Sequence, residues 1–458
     1  MTIADTLGSW AAGFRLELAP ASVMRAAKRS LLDVVGVALA GGEQPVVASV
    51  RELVRTEYGT GPCTVVGDWI GKSASGAALA NGVAAHVLDF DDTSYDGIVH
   101  ASAVVWPAVM AAAELAQASG TRFLEAFVAG VEVEYALGRA LTERLYWKGW
   151  WSTAVLGAIG ASAGAARALG LDPAATSQAI RIAACQATGP RVLLGTPVKP
   201  YACGRAAQAG LQAALAARVG LTGPPAAFED ERGFVRLFND GVHDPTVMSD
   251  LGRRFSLETP GVAIKLYPVC SAAQAAVEAV IAILTDERLR ADDVRLVQCE
   301  VTPLVAMSLA YDRPQSVTEA QFSMPFAVGC ALAFGRLDVD HLTESALRDP
   351  RLLEAMAKVE MKVSDHLFDT PESRRDHPEG ASVTIHTADG HTIRRTNGAA
   401  TGMPTNPMPD ARLEEKFRGA ARRAVPGAAA DCLLARLTAV ETLGSVTELF
   451  AGVGQDDR

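Results

Sequence analysis

Three carboxylates, Asp89, Asp91 and Asp92, fall within four residues of the stretch NGVAAHVLDFDDTSYDGIVHASAVVWP (81–107), with Thr93 beside them and His100 shortly after. Alanine-rich apolar segments flank the cluster. Ionised groups in or near a core cost stability unless they are paired or hydrogen-bonded. Such a cluster is therefore expected to position a metal, a catalytic proton or the ends of helices. A carboxylate near an imidazole raises its pKa and fixes its tautomer, which is what a general acid or base requires. His100 is accordingly read as the general acid–base group, oriented by Asp89. Asp91, taken alone, reads as a helix cap or an arginine partner.

Two lysines add an anion-binding theme. Lys199 lies just before Gly204 and a long alanine-rich helix. Lys265 precedes Pro268 and a helix starting at Ser271. A cation beside a helix N-terminus favours an anion, so the pair suggests a pocket for two carboxylates. Cys270, directly before the second helix, is expected to have a lowered thiol pKa and to be partly ionised near neutral pH. The competing reading of Cys270 is an inert buried thiol. A metal-dependent reading competes with this one. Asp89-Phe90-Asp91-Asp92 matches the D-x-D-D pattern of proton-initiated terpene cyclases, and Asp91-Asp92-x-x-x-Asp96 resembles the metal-binding acids of helical prenyl-diphosphate enzymes. Their second metal motif fails at 292–300, because Leu296 stands where a hydroxyl ligand is needed. Aromatics, which stabilise carbocations, are only 6% of the chain. No metal or cofactor is expected.

The elements that must hold these residues are mostly helical. PASVMRAAKRSLLDVVGVALAG (20–41) has helical spacing, a Pro suited to the first turn and a Gly to end it. Similar patterns recur at 73–87, 103–118, 123–144, 152–169, 174–187 and 204–219. Alanine-lined helices pack closely, so residues 1–260 read as an all-helical domain. The character changes after Pro260. VRLVQCEVT (294–302) alternates as a strand does, and 381–396 reads as a hairpin turning at Asp389-Gly390, with helices at 271–284, 320–334 and 350–358. Residues 261–408 thus form an α+β segment, read as a lid. The tail from 409 to 458 returns to helical periodicity and is expected to pack on the first domain. The fold class is mainly α.

Composition narrows the function. Hydrophobic residues make up 49% and charged residues 21%, with a net charge of −10. That is an ordinary globular composition, and it argues against nucleic-acid binding. No run of 18 apolar residues free of charge suggests a membrane span. The first residues lack a secretory signal pattern. The seven cysteines are scattered without C-x-x-C pairs, which fits reduced thiols in a cytoplasm.

As a whole, the pattern resembles the MmgE/PrpD family, which includes 2-methylcitrate dehydratase, cis-aconitate decarboxylase and iminodisuccinate epimerase. The likeness is carried, in the family's order, by SLLDVVGVALAGG (30–42), ANGVAAHVLDFDDT (80–93), His100 with Ala101-Ser102, KPYACGRAAQAG (199–210), GLTGP (220–224), IKLYPVC (264–270), TEAQFSMPFAVGCAL (318–332) and PTNPMPDARLEEKF (404–417). The resemblance implies a cofactor-free homodimeric enzyme with its site between helical domain and lid. It places Asp89, Thr93, His100, Lys199 and Lys265 in that site, with Tyr311 as a further catalytic group. Asp92, Trp151 and Arg205 are taken as substrate-binding. Two positions depart from the family: Trp151 and Cys270 stand where members often carry histidine. The expected activity is proton transfer on a small di- or tricarboxylate, as a lyase or alternatively an epimerase.

Overall fold

A computed structural model describes residues 1–141 and 144–454. Its centre is the helix Ser152–Leu169, packed against Ala101–Ala116, Gly120–Leu141 and Val198–Arg218. The chain can bring these helices so close because small residues line the contacts. A Cβ on Gly160 would lie 2.8 Å from the carbonyl of Gly130, and one on Gly82 would lie 2.7 Å from the Cα of Gly204. The central helix ends at Gly170, whose φ of 73° is the left-handed conformation that glycine adopts without a Cβ penalty. Almost every side chain along it is buried, so burial of alanine and branched apolar side chains, not a polar outer face, holds it in place.

The C-terminal half carries a four-stranded sheet: β3 Val294–Val301, β4 Val359–Val363, β5 Ala381–Thr387 and β6 Thr392–Asn397, in the order β4-β3-β5-β6. β3 pairs parallel with β4 and antiparallel with β5, and Val297 lies opposite both Val359 and Ile385. Alternate residues Ala381, Val383 and Ile385 of β5 are buried. The helix Ser271–Asp286 packs on β5 and β6, and Met324–Phe334 packs on β4. Residues 1–260 are not all-helical as expected: a separate hairpin, β1 Thr60–Val65 with β2 Ile70–Lys72, pairs its backbone within itself and packs on Ala74–His86 and Ala101–Ala116. The tail helix Asp410–Ala421 returns to lie on Ala21–Gly41. There Lys416 Nζ meets the buried Asp33 carboxylate at 2.6 Å.

Helix periodicity placed the helices it named to within a few residues, with two corrections, and passed over Ile3–Gly13 and Pro45–Glu57; the expected helix over 123–144 runs across 142–143, which lie outside the described residues. The helix expected from 204 begins at Val198, because Pro200 falls in its first turn, where a missing N–H costs nothing. Lys199 is therefore inside the helix and not before it. The helix expected over 320–334 is two pieces, Val317–Ala320 and Met324–Phe334. Ser323 caps the second by accepting from the Phe326 amide at 3.2 Å. No single helix among the described residues is long and apolar enough to cross a membrane.

Candidate active site

Four helix starts and one helix end supply the groups. His86 is the last residue of Ala74–His86, and His100, Trp151 and Cys270 directly precede Ala101–Ala116, Ser152–Leu169 and Ser271–Asp286. Lys199 lies in the first turn of Val198–Arg218. Lys265 follows a short extended stretch in which Ala263 and Thr93 exchange backbone hydrogen bonds of 2.8 and 2.9 Å. That exchange ties the acid loop to the segment leading into the sheet half. Asp89 sits in the loop with φ of 48°, a left-handed conformation that an Asp side chain tolerates better than most.

These groups form one buried network. Lys199 Nζ donates to Asp89 Oδ1 at 2.6 Å and to His86 Nε2 at 2.7 Å. Lys265 Nζ donates to the Asp89 carbonyl at 2.6 Å and lies 3.4 Å from Asp89 Oδ1. His86 Nδ1 meets both oxygens of Asp91, at 3.0 and 2.9 Å. Since Nε2 of His86 accepts from an ammonium, Nδ1 carries the proton and the ring is neutral. Burial supports this by pushing the His86 pKa down to about 4, against the pull of Asp91. Trp151 stacks near His86 with ring centroids 5.2 Å apart, and Lys199 lies over the rings of Trp151 and Phe322 at 5.2 and 4.9 Å.

His100 is held through one ring nitrogen. Its Nδ1 donates to the Asp92 carbonyl at 2.9 Å, with Thr93 Oγ1 at 3.2 Å and Asp91 Oδ2 at 3.3 Å. A carbonyl can only accept, so Nδ1 bears the hydrogen and Nε2 keeps its lone pair. Burial lowers the His100 pKa more than Asp91 raises it. The ring is therefore a neutral base with Nε2 free of any hydrogen bond to the described residues. Its backbone N–H donates to Thr153 Oγ1 at 3.1 Å, which locks the helix start.

The acids take different parts from those the sequence suggested. Asp91 neither caps a helix nor meets an arginine; it bridges His86 and His100 and is held well below the usual carboxylate range by those imidazoles, although burial opposes the charge. Asp89 does not hydrogen-bond His100. It clamps the two lysines, and they outweigh burial and keep its pKa low. Asp92, expected to bind substrate, turns its carboxyl to Ser102 Oγ at 2.6 Å, away from the histidines. Its Oδ1 has no hydrogen-bond partner among the described residues, and burial raises its pKa to about 7.

Three further expectations meet a different geometry. Arg205 is exposed, bonded to Gln208, and lines an outer cleft of about 540 Å³. It is six residues after Lys199, about 240° around the helix at 100° per residue, so the two cannot share a face. Tyr311 is half-buried and its hydroxyl donates to the Leu194 carbonyl at 3.0 Å. The Cys270 thiol is not near ionisation: burial, with Asp89 and Glu379 nearby, pushes its pKa up to about 12, and Lys265 does not offset this. His86 was missed by sequence reasoning, because a lone histidine ending an apolar helix reads as core. The usable signal was Asp91 five residues later. Glu379 and Tyr95, joined at 2.5 Å, were also missed.

His86, Asp89, Asp91 and His100 offer atoms within 4.8 Å of one another, as a metal site would. The donor set does not suit a cation. Asp89 Oδ1 and His86 Nε2 are already taken by the Lys199 ammonium, which a divalent ion would have to displace. As arranged, two buried carboxylates balance two buried lysines, where Coulomb forces are strong, beside a neutral imidazole base.

Residues 5–245 match the MmgE/PrpD N-terminal domain and residues 267–440 the MmgE/PrpD C-terminal domain. The chain is 26% identical to the cis-aconitate decarboxylase-like protein oryM of Aspergillus oryzae, over 97% of this chain and 96% of that one. It is 28% identical to human cis-aconitate decarboxylase over 88% of this chain and 84% of the relative. The corresponding figures for cis-aconitate decarboxylase of Aspergillus terreus are 26%, 89% and 87%.

Proposed function

Since this chain belongs to the MmgE/PrpD family, we propose that it is a cofactor-independent lyase acting on a small di- or tricarboxylate. The observation that carries the reading is the buried network of Lys199, Lys265, Asp89, His86, Asp91 and His100. The names of the relatives support an acid of the cis-aconitate type.

In this reading the two lysines, freed in part from Asp89, hold substrate carboxylates through charge-assisted hydrogen bonds. They also stabilise the enolate-like charge that develops when a bond to the adjacent carbon breaks. His100 Nε2 moves the proton. In a dehydration it takes a proton from the carbon next to a carboxylate, the electron pair enters the enolate, and the hydroxyl leaves as water on a proton from a second donor on its own side. In a decarboxylation His100 Nε2 first takes a proton from solvent; the carbon–carbon bond breaks, carbon dioxide leaves, and the electron pair takes that proton from His100. Asp91 steadies either state by its place beside both imidazoles. Asp89 keeps the lysines charged and together. The chain supplies every cation and proton carrier these steps need, so no cofactor enters the proposal. By the family resemblance the active unit is a homodimer, which light scattering tests.

Trp151 and Cys270 replace histidines of the family pattern. The Trp151 ring packs on His86 and Lys199 and presents an apolar face where a histidine would present a proton carrier. The raised thiol pKa of Cys270 favours the lyase reading over an epimerase that would need Cys270 as an opposed base. Incubation with cis-aconitate, 2-methylcitrate and a chiral aspartate-like diacid in deuterated water, read by NMR, tests the proposal. New alkene signals or loss of carbon dioxide support a lyase. Deuterium exchange at one carbon without loss of mass would support the epimerase instead, and no change with any acid would reject both.

A further inference from the structure

Glu379 stands outside the network described so far, yet it touches the same segments. It lies in the turn leading into β5, and its side chain is almost fully buried. Its Oε2 accepts from Tyr95 Oη at 2.5 Å and its Oε1 accepts from Ser271 Oγ at 3.0 Å. Tyr95 belongs to the acid loop, three residues after Asp92, and Ser271 follows Cys270 at the helix start. The preceding Pro378 carbonyl is fixed by Thr302 Oγ1 at 3.0 Å. One carboxyl thus joins the acid loop, the lysine-bearing segment and the sheet.

Burying a carboxyl costs stability, and a neutral hydrogen-bonded pair could tie these segments together at a smaller cost. We propose that Glu379 is the proton reservoir of a second relay, in which Tyr95 is the group that meets substrate, working from the sheet side while His100 works from the helical side. The inference rests on the polycarboxylate reading above. The groups facing Glu379 are Tyr95, Ser271, Lys265, Asp89, Cys270 and Tyr146. Burial raises its pKa, and the bonds from Tyr95 and Ser271 and the charge of Lys265 offset this only in part. Burial and the same carboxylate keep the Tyr95 hydroxyl protonated far above its ordinary range.

The step is balanced by one proton. When Glu379 is protonated, its Oε2–H donates to Tyr95 Oη and leaves the tyrosine hydrogen free to turn to substrate. As the carbon–oxygen bond of a dehydration breaks, the departing hydroxyl takes the Tyr95 proton and leaves as water, and the Glu379 proton moves to Tyr95. The carboxylate left behind is reprotonated from solvent when product leaves. Such a donor works only while protonated, so kcat falls as pH rises through its pKa.

The test compares wild type, Glu379→Gln and Tyr95→Phe with cis-aconitate, 2-methylcitrate and the chiral diacid as probes, measuring kcat and KM from pH 5 to 10 alongside Tm. Glutamine still accepts one of the two hydroxyls, so it preserves the fold. The expected result is a fall in kcat of about a hundredfold in Glu379→Gln, KM within about threefold, and disappearance of the high-pH limb of the kcat profile. Tyr95→Phe loses at least as much. A merely structural role would move Tm or KM and leave that limb in place. If wild type turns over a probe and Glu379→Gln keeps the wild-type limb with kcat within threefold, the relay is overturned while the polycarboxylate reading stands. If wild type transforms none of the probes, that reading fails and the relay with it.

Discussion

Replacing Lys199 with methionine removes one charge and leaves a side chain of similar length. Two charge-assisted hydrogen bonds are lost, to Asp89 at 2.6 Å and to His86 at 2.7 Å. Breaking a buried pair by removing one partner costs about 3–5 kcal/mol. Asp89 keeps Lys265 at 3.4 Å, so the low end, about 3 kcal/mol, applies. The pH dependence has a definite sign. In the wild type the Asp89 pKa is depressed in the fold, so its contribution is full above the unfolded carboxylate pKa of about 4 and is lost as pH falls through the folded value. Without Lys199, burial is no longer outweighed, and the carboxyl moves back up. The stability gap between wild type and variant should therefore be largest at pH 7 and shrink below about pH 4. Urea unfolding followed by circular dichroism reads it. Calorimetry with tricarballylate reads the second effect: loss of about 2–3 kcal/mol of binding, some 30- to 150-fold. Binding within twofold of wild type in a folded variant would refute the lysine's role as a carboxylate anchor. A stability gap that does not change with pH would refute the electrostatic account of Asp89.

Cys270 should resist iodoacetamide at pH 7.5, because its thiol pKa is pushed up to about 12, and Cys270→Ser should cost less than about tenfold in kcat/KM; rapid alkylation with loss of activity would reverse this. The raised pKa of Asp92, about 7, means that the fold loses stability as pH rises from about 4 to 7, by about 4 kcal/mol in all at 1.36 kcal/mol per unit. Asp92→Asn should remove that slope, and parallel pH–stability curves for the two proteins would contradict the assignment. Activity should survive EDTA, since the Lys199 ammonium occupies the atoms a metal would need; loss restored only by a divalent ion would revive a metal centre.

Much of this was legible in the chain, and the rest was hidden for identifiable reasons. Periodicity found the main helices, since 3.6-residue repeats and terminal Gly and Pro are local signals. It misplaced the start of Val198–Arg218 because Pro200 reads as a boundary. Short β4 was missed: only Val359 of its residues is buried, so alternation is absent, and its pairing partner β3 lies some sixty residues earlier. At the site, the residue types were visible but their partners were not. Asp89, Asp91 and Asp92 are neighbours in sequence, yet the left-handed turn at Asp89 sends them to lysines, histidines and a serine respectively. Cys270 was misjudged because a helix N-terminus and a nearby lysine lower a thiol pKa only where burial does not dominate. Glu379 gave no local signal at all, being brought in by the sheet 284 positions from Tyr95.

The central claim is that His100 Nε2 carries a proton between solvent and a carbon of a bound polycarboxylate. The most direct measurement is mass-resolved NMR of product formed from cis-aconitate or 2-methylcitrate in deuterated water, by wild type and by a correctly folded His100→Ala variant. If the substrate is decarboxylated, the account predicts product carrying one solvent deuterium at the carbon that loses carbon dioxide or at its allylic partner. If it is dehydrated, it predicts deuterium washed into unreacted substrate at the carbon next to the carboxylate. In both cases it predicts at least a hundredfold slower turnover in the variant. Turnover by His100→Ala near the wild-type rate, with the same deuterium content, would contradict it.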